Sequence, residues 1–170
     1  MRDIVLIAHS LRSCHNVGSL LRTADGLGLT MVVLTGYTPY PKQPNDTRLP
    51  HIRQKLTDQI HKTALGAEDT QPWRHEEDVI STIKNLKQEG YTIAALEQTA
   101  GATPVPDYLP PSKIAFIVGR EVEGIETTVL AQCDRILVIP MFGSKESFNV
   151  VQASAMALYH CRFNPTKQQA

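Results

Sequence analysis

Cysteine is scarce in this chain: Cys14, Cys133 and Cys161 are odd in number and far apart. No CxxC occurs, which excludes a disulfide framework and a thiolate zinc site, so reduced thiols in a cytoplasmic protein are expected. The six histidines form no HExxH, and no metal is expected. Long hydrophobic runs are also missing. Ile4 to Ala8 is too short for a signal peptide, and no segment approaches a membrane span, so no membrane partner is expected. Net charge is absent as well: 17 Lys and Arg stand against 17 Asp and Glu, so no global basic field advertises nucleic acid. The charge is unevenly spread, however. Residues 1–66 hold eight basic residues and four acids, whereas residues 67–130 hold five and eleven.

The usual nucleotide and hydrolase signatures are missing too. No GxGxxG follows the first apolar run, where His9 and Ser10 stand, and no GxxxxGK[ST] occurs anywhere. That argues against a dehydrogenase or P-loop enzyme. Ser147 has no GxSxG elbow around it, so a serine hydrolase would have to guess its histidine. Repeats and low-complexity segments are absent.

What is present reads as alternating strands and helices. Ile4 to Ala8 is a continuous apolar run, the pattern of a strand buried on both faces. Ser13 can cap a helix carrying Val17, Leu20, Leu21, Ala24 and Leu27 at helical spacing, with Gly26 and Gly28 stopping it. Thr30 to Thr35 is a second buried strand, and strand, helix, strand in this order implies a parallel sheet. Gly36 to Leu49, with Pro39, Pro41 and Pro44, is a long loop. Helices are predicted over 51–65, 76–89, 125–131 and 148–159, and strands over 91–96, 113–118 and 136–139. Residues 63–67 are read as a short strand or turn. The chain is expected to be one domain over 1–163 with a flexible tail over 164–170.

In an open parallel sheet, ligands sit beyond the carboxyl ends of the strands. Three predicted loops lie there: Glu97 to Gly101, Gly119 to Gly124, and Pro140 to Ser147. The last opens into a helix through Ser147-Phe148-Asn149, two small polar side chains poorly placed for a core. Gly119 and Gly124 serve either a close approach of backbone to ligand or an ordinary turn.

Three blocks together resemble the SpoU/TrmH-type RNA 2′-O-ribose methyltransferases of the SPOUT superfamily. Asn16-Val-Gly-Ser-Leu-Leu-Arg22-Thr-Ala24 is similar to N-x-G-x-x-x-R-x-A, and Gly119-Arg-Glu121-Val-Glu-Gly124-Ile125 to G-x-E-x-x-G-I. Ile139-Pro140-Met141 followed by Ser147-Phe148-Asn149-Val150 is similar to I-P-M…S-L-N-V. Two departures are Phe148 for leucine and Val151-Gln152 for serine and a small apolar residue. The resemblance implies an α/β fold, a mostly parallel sheet with helices on both faces and a C-terminal deep trefoil knot that holds S-adenosyl-L-methionine. It places the cofactor against Leu96, Glu97, Gly119, Arg120, Glu121, Ile139, Met141, Ser147 and Phe148. It also implies a homodimer with each active site shared between subunits.

The resemblance gives Arg22, Asn16, Glu121, Ser147 and Asn149 as catalytic positions. Arg22 acts on the attacking ribose 2′-hydroxyl as base with help from substrate phosphate, or as a phosphate clamp that orients the hydroxyl. The clamp is easier to defend for a group whose pKa exceeds about 12. The RNA is expected to meet a basic loop and helix bearing Arg12, Lys42, Arg48, Arg53, Lys55 and Lys62, with tRNA favoured over rRNA. The rival from another class is a knotted RNA-binding or assembly module that no longer methylates.

Overall fold

The computed structural model describes residues 1–164. The run Asp3–His9 forms strand β1 and is buried at every position after Asp3. Such a strand must have a neighbour on each side and a covering layer on each face. β1 pairs in parallel with β2 (Met31–Thr35) on one side and with β6 (Lys113–Val118) on the other. Adding β3 (Trp73–Glu76), β4 (Thr92–Leu96), β5 (Thr103–Pro104) and β7 (Arg135–Val138) gives seven strands in the order β3-β2-β1-β6-β4-β7-β5. Every pairing between these strands is parallel.

Successive side chains of a strand point to opposite faces, and the core divides accordingly. Ile4, Leu6 and Ala8 face one cluster with helices α1 (Cys14–Leu27), α2 (Pro50–Ala64), α3 (Ala67–Thr70) and α6 (Val150–Phe163). Val5 and Ile7 face the other, with α4 (Val79–Gln88) and α5 (Thr127–Leu130). Helices therefore cover both faces, as expected. No helix among the described residues is long and apolar enough to cross a membrane.

Several boundaries differ from the sequence reading. Gly28, in left-handed conformation, ends α1, and Gly26 lies inside the helix. Residues 63–67 hold the end of α2 and a turn with Leu65 and Gly66 at positive φ, not a strand. Glu76 closes β3, and Asp78 caps α4 by accepting from the Ile80 amide at 2.9 Å. β3 and β5 escaped notice because they are short, polar or proline-bearing edge strands with a partner on one side only. The last helix begins at Val150, because the Asn149 side chain caps it, accepting from the Val151 amide at 2.9 Å. Val151 packs half-buried on the core and Gln152 is exposed, so neither departure disturbs that helix. Asn164 is held: its carbonyl accepts from Arg2 at 3.1 Å and its amide meets the His160 ring at 2.7 Å. The rest of the expected tail, 165–170, lies outside the described residues.

Candidate active site at the carboxyl ends of the central strands

β4, β6 and β7 end side by side, and the loops that leave them enclose a cavity of about 500 Å³. That is ample for a small organic ligand. Of the residues expected to hold a cofactor, Leu96, Glu97, Gly119, Arg120, Glu121, Ile139, Ser147 and Phe148 line it. Met141 does not, the wall ending on that side at Ile139. Val118 and Val138, the last residues of β6 and β7, line it too, as does Glu123.

The first two loops are tied to each other. Glu97 accepts from the Gln98 amide at 2.9 Å with one oxygen and from the Ile125 amide at 2.8 Å with the other. Gly124 has φ +70°, and a Cβ there would stand 2.5 Å from the Glu97 carboxylate. Any side chain at 124 would strain the backbone and push Glu97 aside, so this glycine serves a close approach of loop to loop.

Glu121 gathers the three sequence blocks. It accepts from the amides of Arg12 and Ser13, both at 3.3 Å, and from the Asn16 side chain at 3.1 Å. Burial alone would raise its carboxyl, but these donors and its own amide together lower it, so it stays ionised. Asn16 in turn accepts from Asn149 Nδ2 at 3.4 Å, a long bond. The start of α1, the loop after β6 and the cap of α6 thus meet in one polar chain beside the cavity. Ser147 is exposed at its wall.

Arg22 stands apart from this cavity. It is exposed on α1 and lines a separate hollow with Lys62, Ser19, Thr23, Thr63 and Val151. Its neighbours Leu21 and Ala24 are buried, yet the guanidinium turns outward. The basic stretch is split. Arg48 is turned inward, bonded to Asp46 at 2.9 Å and to the Tyr40 carbonyl at 3.0 Å, with its guanidinium 3.5 Å from the Tyr40 ring centre. Arg53 donates to the Asp46 carbonyl at 3.1 Å, and Arg12 pairs with Glu123 at 2.5 Å. Lys42, Lys55 and Lys62 are exposed. All three cysteines are free, and burial pushes the Cys133 and Cys161 thiols up to about 11 and about 12, which keeps them protonated.

Two residues missed by the sequence reading lie behind the cavity. His9 and Glu126 are within contact distance of each other, and Glu126 holds Arg120. The only signal was that His9 ends a strand on the ligand side of the sheet.

A family model for the SpoU rRNA Methylase family matches residues 3–159. The 23S rRNA (guanosine-2'-O-)-methyltransferase RlmB of Bordetella pertussis is 30% identical over 156 residues, which cover 92% of this chain and 58% of that protein. The chain thus spans a little over half the length of that relative. Among solved structures, the A. aeolicus TrmH/SpoU tRNA modifying enzyme superposes with a TM-score of 0.78 at 18% identity, over 95% of this chain and 75% of that one. The SpoU methyltransferase AviRb from Streptomyces viridochromogenes, in complex with the cofactor AdoMet, gives 0.76 at 20% identity, over 95% and 58%. At such identities these two likenesses speak for the fold. The family match says more, because it runs from β1 into α6 through all three loops that wall the cavity: the chain belongs to the SpoU rRNA Methylase family.

Proposed function

We propose that this chain is an S-adenosyl-L-methionine-dependent RNA 2′-O-ribose methyltransferase. One observation carries the reading: Glu121, Asn16 and Asn149, from three distant blocks, meet beside a cavity of cofactor size. The cavity suits this cofactor, which carries a sulfonium, an ammonium and a carboxylate. Glu97, Glu121, Glu123 and Glu146 line it with Arg120, so the wall favours a ligand rich in positive charge and keeps one cation for a carboxylate. When bound, the cofactor supplies a methyl carbon already made electrophilic by its sulfonium.

The chain's own residues then have distinct tasks. Glu121 and Asn16 hold the loop after β6 against the start of α1. Asn149 fixes the start of α6 and, with Ser147, faces the substrate side of the cavity. Arg22 and Lys62 share a hollow suited to the RNA backbone. A guanidinium remains protonated, so Arg22 clamps phosphate and orients the ribose hydroxyl rather than carrying its proton away. Since Arg22 does not line the cofactor cavity of its own subunit, a homodimer brings it to the partner's cavity. An exposed apolar stripe on α6, Met156, Tyr159 and Phe163, supports that assembly. A knot is supported by the sheet order. β4 and β5 are consecutive in the chain, yet β7 lies between them, so the connection from Glu97 to Ala102 crosses the end of β7.

Lys42, Lys55 and Lys62, with Arg12 at their edge, are the cations offered to RNA. Arg48 and Arg53 instead brace the loop that carries Lys42 and leads into the helix bearing Lys55 and Lys62. We take tRNA as the substrate; rRNA is the second reading, favoured by the 23S rRNA activity in the name of the Bordetella relative. Nucleoside mass spectrometry of tRNA and rRNA from cells with and without the protein separates them, as one 2′-O-methyl nucleoside disappears from one pool. Unchanged pools would favour the silent RNA-binding module. Arg22→Ala should lower methyl transfer about 10²-fold while cofactor binding persists.

A further inference from the structure

Behind the cavity wall lies a row of polar side chains that the three sequence blocks do not contain in full. Thr35, at the end of β2, is fully buried, and its hydroxyl lies 3.0 Å from His9 Nδ1. His9, at the end of β1, is 7% exposed, and its Nε2 lies 3.2 Å from Glu126 Oε2. That oxygen is buried and accepts no hydrogen bond among the described residues, so His9 meets it as a close contact without hydrogen-bond geometry. The second Glu126 oxygen pairs with Arg120 Nη2 at 3.1 Å. Arg120 also donates from Nε to the Gly124 carbonyl at 3.5 Å, a long bond. Among the described residues Arg120 is the cation lining the cavity, amid four glutamates.

Buried polar side chains are costly unless each finds a partner, and this row ends in a half-buried guanidinium facing the ligand space. We infer that His9 and Glu126 are positioning residues that fix Arg120 as the anchor for the ligand's carboxylate. The inference rests on the cofactor reading given above. The assignment of protons is self-consistent: the Thr35 hydroxyl donates to Nδ1, neutral imidazole turns its Nε2–H side to the unpartnered Glu126 oxygen, and the carboxylate keeps its full charge for Arg120. Burial, the largest influence on His9, lowers its pKa and favours that neutral form, although Glu126 pulls the other way. Arg120 has further N–H groups beyond these two contacts, enough to meet a carboxylate.

Two probes separate this role from a merely structural one. S-adenosylhomocysteine carries the amino-acid carboxylate, and 5′-methylthioadenosine lacks it. By calorimetry on the full chain, Arg120→Ala should weaken S-adenosylhomocysteine about 10- to 100-fold and leave methylthioadenosine within about twofold. Glu126→Gln should lower only the former, about 3- to 10-fold. The double variant should match Arg120→Ala alone, because Glu126 acts only through Arg120. His9→Ala should resemble Glu126→Gln, with His9→Gln restoring most of the loss. Equal weakening of both probes, or independent multiplicative losses in the double variant, would overturn the inference while sparing the cofactor reading. Failure of the wild-type chain to bind S-adenosylhomocysteine would overturn both.

Discussion

At the residue scale, two histidines make opposite demands on pH. His61 is exposed and hydrogen-bonded to Glu68, which raises its pKa. His9 is buried, which lowers its pKa despite Glu126. In the unfolded chain both titrate near about 6.5. A lowered value means that the unfolded state takes up a proton first as pH falls. His9 therefore favours folding above about 6.5, and that contribution fades as pH drops through its folded value. His61 has the reverse sign: its contribution is whole below about 6.5 and fades as pH rises through its raised value. Comparing the wild type with His9→Gln isolates the first effect. Between pH 7.5 and pH 5 the urea midpoint of the wild type should fall further than that of the variant; parallel curves would show that His9 is not shielded from protonation in the folded chain. Neither effect was legible in the sequence. His9 looks like the start of a turn, and its meaning depends on Glu126, far along the chain. The motif residues were legible because their family pattern is local.

At the scale of elements, the glycine in the first motif has a packing role. A Cβ at Gly18 would stand 2.2 Å from the Ile60 carbonyl and 2.9 Å from the Ala64 amide. α1 and α2 cross there backbone to backbone, and the Thr63 hydroxyl donates to the His15 carbonyl at 2.8 Å beside the crossing. Gly18→Ala should force the helices apart and cost about 1–3 kcal/mol, read as a lower denaturant midpoint at unchanged slope. An unchanged midpoint would mean that the crossing gives way freely. The long buried strands and apolar-striped helices could be read from the sequence because their periodicity is their packing. Short pieces could not: β3 and β5 exist because a neighbouring strand offers them hydrogen bonds, not because of their composition. Arg48 shows the same limit for charge. A basic residue in a basic loop suggests a solvent-facing patch, but Asp46 two residues earlier captures it.

At the scale of the whole molecule, the proposed division of the site between subunits predicts complementation. Arg22→Ala removes the proposed clamp and keeps the cavity; Gly124→Ala damages the cavity and keeps the clamp. Each alone should be nearly inactive as a homodimer, at about a hundredth of the wild type for Arg22→Ala. Mixed one to one by joint refolding, half the dimers are hybrids with one intact site, so about a quarter of wild-type activity should return. No recovery, despite hybrids seen by native mass spectrometry, would place Arg22 in its own subunit's site. The parallel sheet was foreseeable from the first βαβ unit. Its strand order was not, because order depends on how crossovers pass over one another, which leaves no local trace.

That order also has a consequence in time. β7 fills the gap between β4 and β5, although it is the last of the described strands to be made. Ribosomes add roughly 5–20 residues per second, so β4 waits about 2–8 s for its neighbour to appear. Through that interval the β7 side of a buried, apolar strand is bare, and its other side is bare too until β6 is made. Cells making this protein therefore carry a standing population of nascent chains with an open sheet edge, and slower translation lengthens its life. Substitutions that leave the finished fold untouched, but sit on β4, should show their effect as lost yield.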